Sequence, residues 1–259
     1  MGDTEDFKKR NRDSVDEMQH SATLNELSRA WYDEASKHEY SYHFESLGLP
    51  IIQMPQDIQA LNEIIWRIRP DLVIETGVAR GGSLINSAAQ LALLDVCDAF
   101  AGNGQLHVKE SSRKVVGIDI DIRPHNREAI ETHPLGGMIQ LIQGSSTEVN
   151  VLAQVNDLAE KASCVLILLD SNHTHEHVLA ELKAYAPLVT TGSYCVVYDT
   201  IVEFMPSGSF PNRPWDVGNN PWTAVKEYLT EHPEFVSDPS ISAKLQISVA
   251  PDGYLMRVK

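Results

Sequence analysis

Five short apolar runs, each closed by a polar residue, alternate along the chain with segments of helical period. Leu72-Val73-Ile74 runs into Glu75-Thr76-Gly77, and Val115–Ile118 runs into Asp119. Met138–Ile142 leads to Gln143-Gly144-Ser145-Ser146, Cys164–Leu169 to Asp170, and Tyr194–Val197 to Asp199. Uninterrupted apolar runs of this length read as strands buried on both faces. Between them, residues 56–68 put Ile58, Leu61, Ile64, Ile65 and Ile68 on one side of a helix. Further helices follow from Gly82 to about Asp95, over 174–186 with Val178, Leu179, Leu182 and Tyr185 inward, and over 222–230. Strand–helix alternation predicts an α/β fold with a Rossmann-like, doubly wound, mainly parallel sheet. The final segment, KLQISVAPDGYLMRVK, predicts a C-terminal antiparallel hairpin around Pro251-Asp252-Gly253.

The flanking segments are less regular. Residues 1–20 are charged and read as frayed, whereas 21–38 space Leu24, Leu27, Ala30 and Trp31 at helical intervals. Residues 40–57 are broken by Pro50 and Pro55 and read as an ordered loop, and 96–113 as an insertion loop. The expected division is a helical extension and lid segment over 1–55 and a ligand-binding domain over 56–259.

Composition narrows the partners. The formal net charge of the 259 residues is -15, which disfavours a nucleic-acid backbone or an anionic membrane as partner. A small molecule or saccharide remains the expected partner. Cys97, Cys164 and Cys195 form no CxxC pattern, and the last two sit in apolar runs as buried free thiols. The N-terminus has no apolar signal core, Asp6 stands where myristoylation needs Ser or Thr, and the apolar runs look too short to span a bilayer. A cytoplasmic protein without an integral membrane segment is expected.

Ligands of open α/β sheets bind beyond the carboxyl ends of the strands. Here those ends carry Glu75, Asp119, Ser145, Asp170 and Asp199. The first loop, ETGVARGGS, contains Gly77 for a tight turn, Arg80, and Gly81-Gly82-Ser83 where the backbone approaches a ligand at a helix start. It lacks the GxGxxG dinucleotide fingerprint, and the acidic Glu75 suits a cationic ligand better than a pyrophosphate. S-adenosylmethionine, with its ammonium and sulfonium, fits that charge, and Asp119 is placed to accept from ribose hydroxyls. Glycine turns with solvated strand-end carboxylates are the plainer alternative.

If the fourth and fifth strands are neighbours, Asp170 and Asp199 lie ~4.8 Å apart. Such a pair repels unless a cation or proton lies between them, and oxygen ligands suit Mg²⁺. One salt-bridged and one solvated Asp is the alternative. His173 follows Asp170 by three residues and can reach the same edge as a general base, or serve as a cap. His173 and His177 also share a helical i,i+4 spacing, but the Glu is misplaced for HExxH and no third zinc ligand is visible. His175 and His177 read as solvated. A methyl acceptor alcohol is nearly as weak an acid as water, pKa ~15.7, so a metal and a positioned base belong together.

At this level the sequence resembles the cephalosporin hydroxylase / rhamnosyl O-methyltransferase family across almost all of residues 38–259. The segments that carry the resemblance are YSYHFESLGLPIIQMPQDI, DLVIETGVARGGSL, VVGIDID, LLDSNHTHEHVLAEL, GSYCVVYDT and RPWDVGNNPWTAV. The resemblance implies a class I methyltransferase fold, S-adenosylmethionine, Mg²⁺, and O-methylation of sugars or antibiotics, usually by an oligomer. It implies cofactor contacts from Glu75, Gly77 and Asp119, metal ligands Asp170 and Asp199, and His173 as the base; Arg80, Gly81, Ser83, Ser145 and Asp170 are expected to complete the cofactor site, and Asp170 to join His173 in catalysis. Relatives often carry Glu-Asp where this chain has Tyr198-Asp199, which weakens the implied metal site. The long segment after Asp199 reads either as a cover over the acceptor, with Tyr198, Trp215, Asn219 and Asn220 as contacts, or as a subunit contact. The connector around Tyr40, Tyr42 and Gln53 is expected to complete the lid. A small natural-product acceptor, an NAD-dependent oxidoreductase and a non-catalytic cofactor-binding partner are the competing readings.

Overall fold

In the computed structural model, residues 2–102, 104, 105 and 111–259 are described. The chain begins with α1 (Gly2–His20) and α2 (Ala22–Ser36). A small hairpin, β1 (Phe44–Ser46) and β2 (Leu49–Ile51), precedes α3 (Pro55–Ile68). The strand–helix alternation then runs β3 (Leu72–Thr76), α4 (Gly82–Ala101), β4 (Lys114–Asp119), α5 (Pro124–Thr132), β5 (Ile139–Gln143), α6 (Val149–Ala159), β6 (Val165–Leu169), α7 (His175–Tyr185) and β7 (Tyr194–Val197). The chain ends with α8 (Pro221–Glu231), β8 (Phe235–Ser237), α9 (Pro239–Leu245) and β9 (Tyr254–Arg257).

The main sheet has the order β5-β4-β3-β6-β7-β9-β8. The first five strands are parallel, and β9 runs antiparallel to both β7 and β8. Strand side chains alternate between two cores. Val73, Val115, Leu166 and Val196 face α3, α4 and α5, while Ile74, Val116, Ile167 and Cys195 face α6, α7 and α8. This two-sided burial is why the strands are apolar throughout.

Several expectations change. Residues 2–20 form a helix rather than a frayed tail, although α1 buries no residue of its own. In α2 the buried residue is Tyr32, and Leu27 and Trp31 are exposed. The expected loop over 40–57 contains β1–β2, because Leu47-Gly48 adopts left-handed backbone that closes a tight turn between them. The expected insertion loop begins inside α4, and its residues 103 and 106–110 lie outside the described residues. The antiparallel hairpin is present, but β9 pairs with Phe235–Ser237 and α9 occupies part of the intervening segment. By length and composition α4 is apolar enough to cross a membrane, but its Leu84, Ile85, Ala88, Leu91 and Leu94 are buried in the core.

Candidate functional site

The site lies where β3, β4, β6 and β7 end. Gly77 leaves β3 at φ +93°, and a Cβ there would collide with the Asp170 carbonyl oxygen, so glycine is required by both conformation and space. The Asp170 amide donates to Thr76 O at 2.9 Å. The first loop is thus clasped to the end of β6. Asp119 steadies the same loop from β4: Oδ2 accepts from the Val78 amide at 2.9 Å and Oδ1 from the Asp121 amide at 3.0 Å. A carboxylate has about four acceptor sites, so each oxygen keeps capacity for a ligand.

Glu75 is 1% exposed. Ser83 Oγ donates to its Oε1, while Oε2 is buried without a partner. Burial pushes its pKa to about 8, only partly offset by the Ser83 hydrogen bond. An acceptor oxygen left unpaired in a low-dielectric site fits a cationic ligand group. Arg80 is exposed at the tip of the loop and lines a cavity of about 30 Å³ with Gly77, Gly81, Ser83 and Asp170. Pro50 to Gln53 roof that cavity, and a Cβ on Gly82 would strike the Pro50 carbonyl. Such a space holds roughly a water molecule, not a nucleoside. A larger cavity of about 470 Å³ between α1, α3 and α9 has none of the strand-end residues in its wall.

Strands β6 and β7 are neighbours, so Asp170 and Asp199 meet. With His173 they offer one ligand atom each, all within 4.8 Å of one another. His173 Nε2 is 3.2 Å from Asp199 Oδ2, and its ring stands edge-on to Trp215 at 4.7 Å between centroids. Asp199 adopts left-handed backbone, φ +54°, an uncommon state for a non-glycine residue that turns the chain at the site. Burial, then the Asp199 and Glu75 carboxylates, push Asp170 well above the usual carboxylate range. A cation between the carboxylates would relieve such crowding, and Mg²⁺ favours oxygen ligands over imidazole. Gln53 reaches across from the β1–β2 segment, and its Nε2 donates to Asp170 Oδ2 at 3.0 Å.

Other expected residues make contacts within the protein. Asn220 is fully buried: its Oδ1 caps α8, accepting from the Trp222 and Thr223 amides, and its Nδ2 donates to Glu203 and the Asp216 carbonyl. Its amide has no group left for an acceptor. Asn219 Oδ1 accepts from the His175 amide and its Nδ2 donates to Pro214 O, so it ties the loop to α7. The Tyr198 ring is 4% exposed and packs in the core, where burial and then the Glu75, Asp57 and Asp170 carboxylates push its phenol up. Trp215 packs against His173 of the Asp170-His173-Asp199 group. Ser145 pairs with Thr147 at the end of β5. His173 precedes α7 and faces Asp199, whereas His177 lies within α7 beside Glu181, so the two do not share the expected i,i+4 helical face. His175 and His177 are not merely solvated. His175 pairs with Thr223 and Glu227, and His177 with Ser146, Ser171 and the fully buried Glu181. The Glu181 hydrogen bond raises the His177 pKa. The sequence showed no sign of this cluster beyond a glutamate at i,i+4 from a histidine.

A mainly parallel sheet of order β5-β4-β3-β6-β7-β9-β8, with an acidic first loop and ligand groups at the strand ends, defines the class I methyltransferase fold. Two CmcI structures superpose on it: one described with Mg-SAM (19% identical, TM-score 0.53, covering 84% of this chain and 78% of that one) and an apo form (21% identical, TM-score 0.52, covering 84% and 77%). Residues 38–258 match the rhamnosyl O-methyltransferase/CmcI family, and the chain belongs to it. It is 28% identical over 216 residues to a rhamnosyl O-methyltransferase of Mycobacterium leprae, covering 82% of each chain. A rhamnosyl O-methyltransferase of Mycobacterium tuberculosis is 26% identical over 213 residues, covering 82% of this chain and 77% of the relative.

Proposed function

We propose that this protein is an S-adenosylmethionine-dependent, Mg²⁺-assisted O-methyltransferase that acts on a sugar hydroxyl, such as that of a rhamnose in a surface polysaccharide, glycolipid or glycoside. The observation that carries this reading is the meeting of Asp170, His173 and Asp199 beside the loop that Gly77 clasps to Asp170. Donor and acceptor groups are thereby brought to one edge of the sheet. The names of the curated relatives support the sugar acceptor.

Glu75, Gly77, Arg80, Gly81, Ser83, Asp119 and Ser145 would hold the cofactor, and Asp170 and Asp199 the cation. When bound, the cofactor supplies an activated methyl group and the cation lowers the acidity barrier of the acceptor hydroxyl. His173 would take the hydroxyl proton at Nδ1, the ring nitrogen turned away from Asp199, and Asp199, 3.2 Å from Nε2, would stabilise the imidazolium that results. A positioned base of this kind contributes roughly 10²–10⁴ in rate. Trp215 fixes the His173 ring and offers an apolar face to a sugar. Residues 1–55 would act as an extension and lid on the domain formed by 56–259. The β1–β2 roof over the first loop supports that division. The acidic charge and apolar core support a cytoplasmic protein with no nucleic-acid partner, and family habit supports a homo-oligomer. The test is transfer of a labelled methyl group to a panel of rhamnosides and other deoxysugar glycosides. Cofactor binding without transfer to any of them would point to a non-catalytic partner protein.

A further inference from the structure

Gln53 is 5% exposed, and its Oε1 is buried with no hydrogen-bond partner. Its Nε2 lies 3.0 Å from Asp170 Oδ2, so this unsatisfied amide sits directly against the carboxylate of the candidate cation group. A buried amide oxygen left without a donor is costly and calls for an explanation. Among the described residues no donor lies within hydrogen-bond distance of it.

We infer that Gln53 is a neutral oxygen ligand of the cation held by Asp170 and Asp199, and that binding turns its amide so that Oε1 faces the ion. This rests on the cation reading given above. The spacing suits it. Two adjacent ligand oxygens on an octahedral ion with 2.0–2.1 Å bonds are about 2.9 Å apart. The Gln53 amide is 3.0 Å from Asp170 Oδ2. Without an ion, the nitrogen faces the carboxylate because two oxygens at that distance repel. With an ion between them, the turned amide becomes the favourable state, and the orphan acceptor is satisfied. Coordination would also lock the β1–β2 segment onto the strand ends, coupling cation binding to closure of the roof.

The experiment is titration of Mg²⁺ by calorimetry and of Mn²⁺ by electron paramagnetic resonance, on the full chain, for wild type, Gln53→Ala, Gln53→Glu and Asp199→Asn. Thermal melts in chelator check that each variant folds. Gln53→Ala is expected to weaken the cation about 10–100-fold. Gln53→Glu is expected to bind it more tightly than wild type, because it adds a charged oxygen at the same place. Its melting temperature should rise more on adding Mg²⁺ than that of wild type. A Gln53 that merely latches the hairpin through its N–H predicts the opposite for Gln53→Glu: weaker binding and no rescue by Mg²⁺. That outcome, or a Gln53→Ala variant that binds as wild type while Asp199→Asn does not, overturns the ligand role alone. A wild type that binds neither ion overturns the cation reading and this inference together.

Discussion

Glu75 shows how one residue links burial to ligand choice. Its carboxyl is sealed beneath the first loop, its Oε2 lacks a partner, and burial holds its pKa at about 8. Near pH 7 the ligand-free protein therefore keeps it largely protonated. A cationic cofactor group favours the ionised form, so binding should release a proton. Calorimetry in buffers of different ionisation enthalpy is expected to find release of close to one proton at pH 7, declining above pH 8. Glu75→Gln should abolish the release and weaken cofactor binding. Unchanged proton release in that variant would remove Glu75 from the site. The sequence made Glu75 visible because it ends an apolar run before a glycine. The α8 cap made by Asn220 is hidden for an equally physical reason: an Asn in a polar loop looks available to ligand, and only the fold reveals its capping role. Gln53's contact with Asp170 spans 117 residues, a separation that no local pattern encodes.

Two elements control access. The β1–β2 segment roofs the glycine loop so closely that about 30 Å³ remains beneath it. A cofactor group larger than a water molecule would enter this space by a shift of the hairpin or the loop. Hydrogen exchange should accordingly show residues 44–53 opening readily in the free protein and gaining protection with S-adenosylmethionine and Mg²⁺. Protection confined to 77–83, with no change at 44–53, would mean that the hairpin is fixed scaffold. The second element is the segment after β7, where the Asp216 carboxylate accepts from Ser207, Gly208 and Val217, and Glu203 from Gly218 and Asn220. This internal bonding makes it a built loop that presents Trp215 to His173. Strands β3 to β7 were legible because burial on both faces writes continuous apolar runs. Helix α1 was not, since it is polar on all sides and buries none of its residues. The short β8 was missed because three residues carry little periodicity.

Across the whole molecule, buried carboxylates set the pH response. Asp57 accepts from Ser248, Val249 and Tyr254, pinning α3 to the C-terminal segment, yet burial still lifts its pKa to about 6. Asp57 and Glu75 both have folded pKa values above those of the unfolded chain, so between them the folded state holds more protons over about pH 4 to 8. Stability should therefore fall as pH rises through that window, with a limiting slope of about 1.4 kcal/mol per pH unit for each proton. Glu75→Gln should flatten the decline between pH 6 and 8 in urea titrations of the ligand-free protein, and an equally steep decline in that variant would contradict the assignment. Sheet order is a property of the same scale. The alternating pattern implied a parallel sheet, but the reversal between β3 and β6, which opens the cleft at the strand ends, comes from long-range pairing.

The most direct measurement is transfer of a radiolabelled methyl group from S-adenosylmethionine to a rhamnoside, with and without Mg²⁺, by wild type, His173→Ala and Asp170→Asn. The predicted result is a labelled O-methyl sugar from wild type that depends on the cation. His173→Ala should lose roughly 10²–10⁴ in rate, and Asp170→Asn at least as much. Cofactor binding with no transfer to any sugar, or transfer that neither substitution slows, would contradict the account.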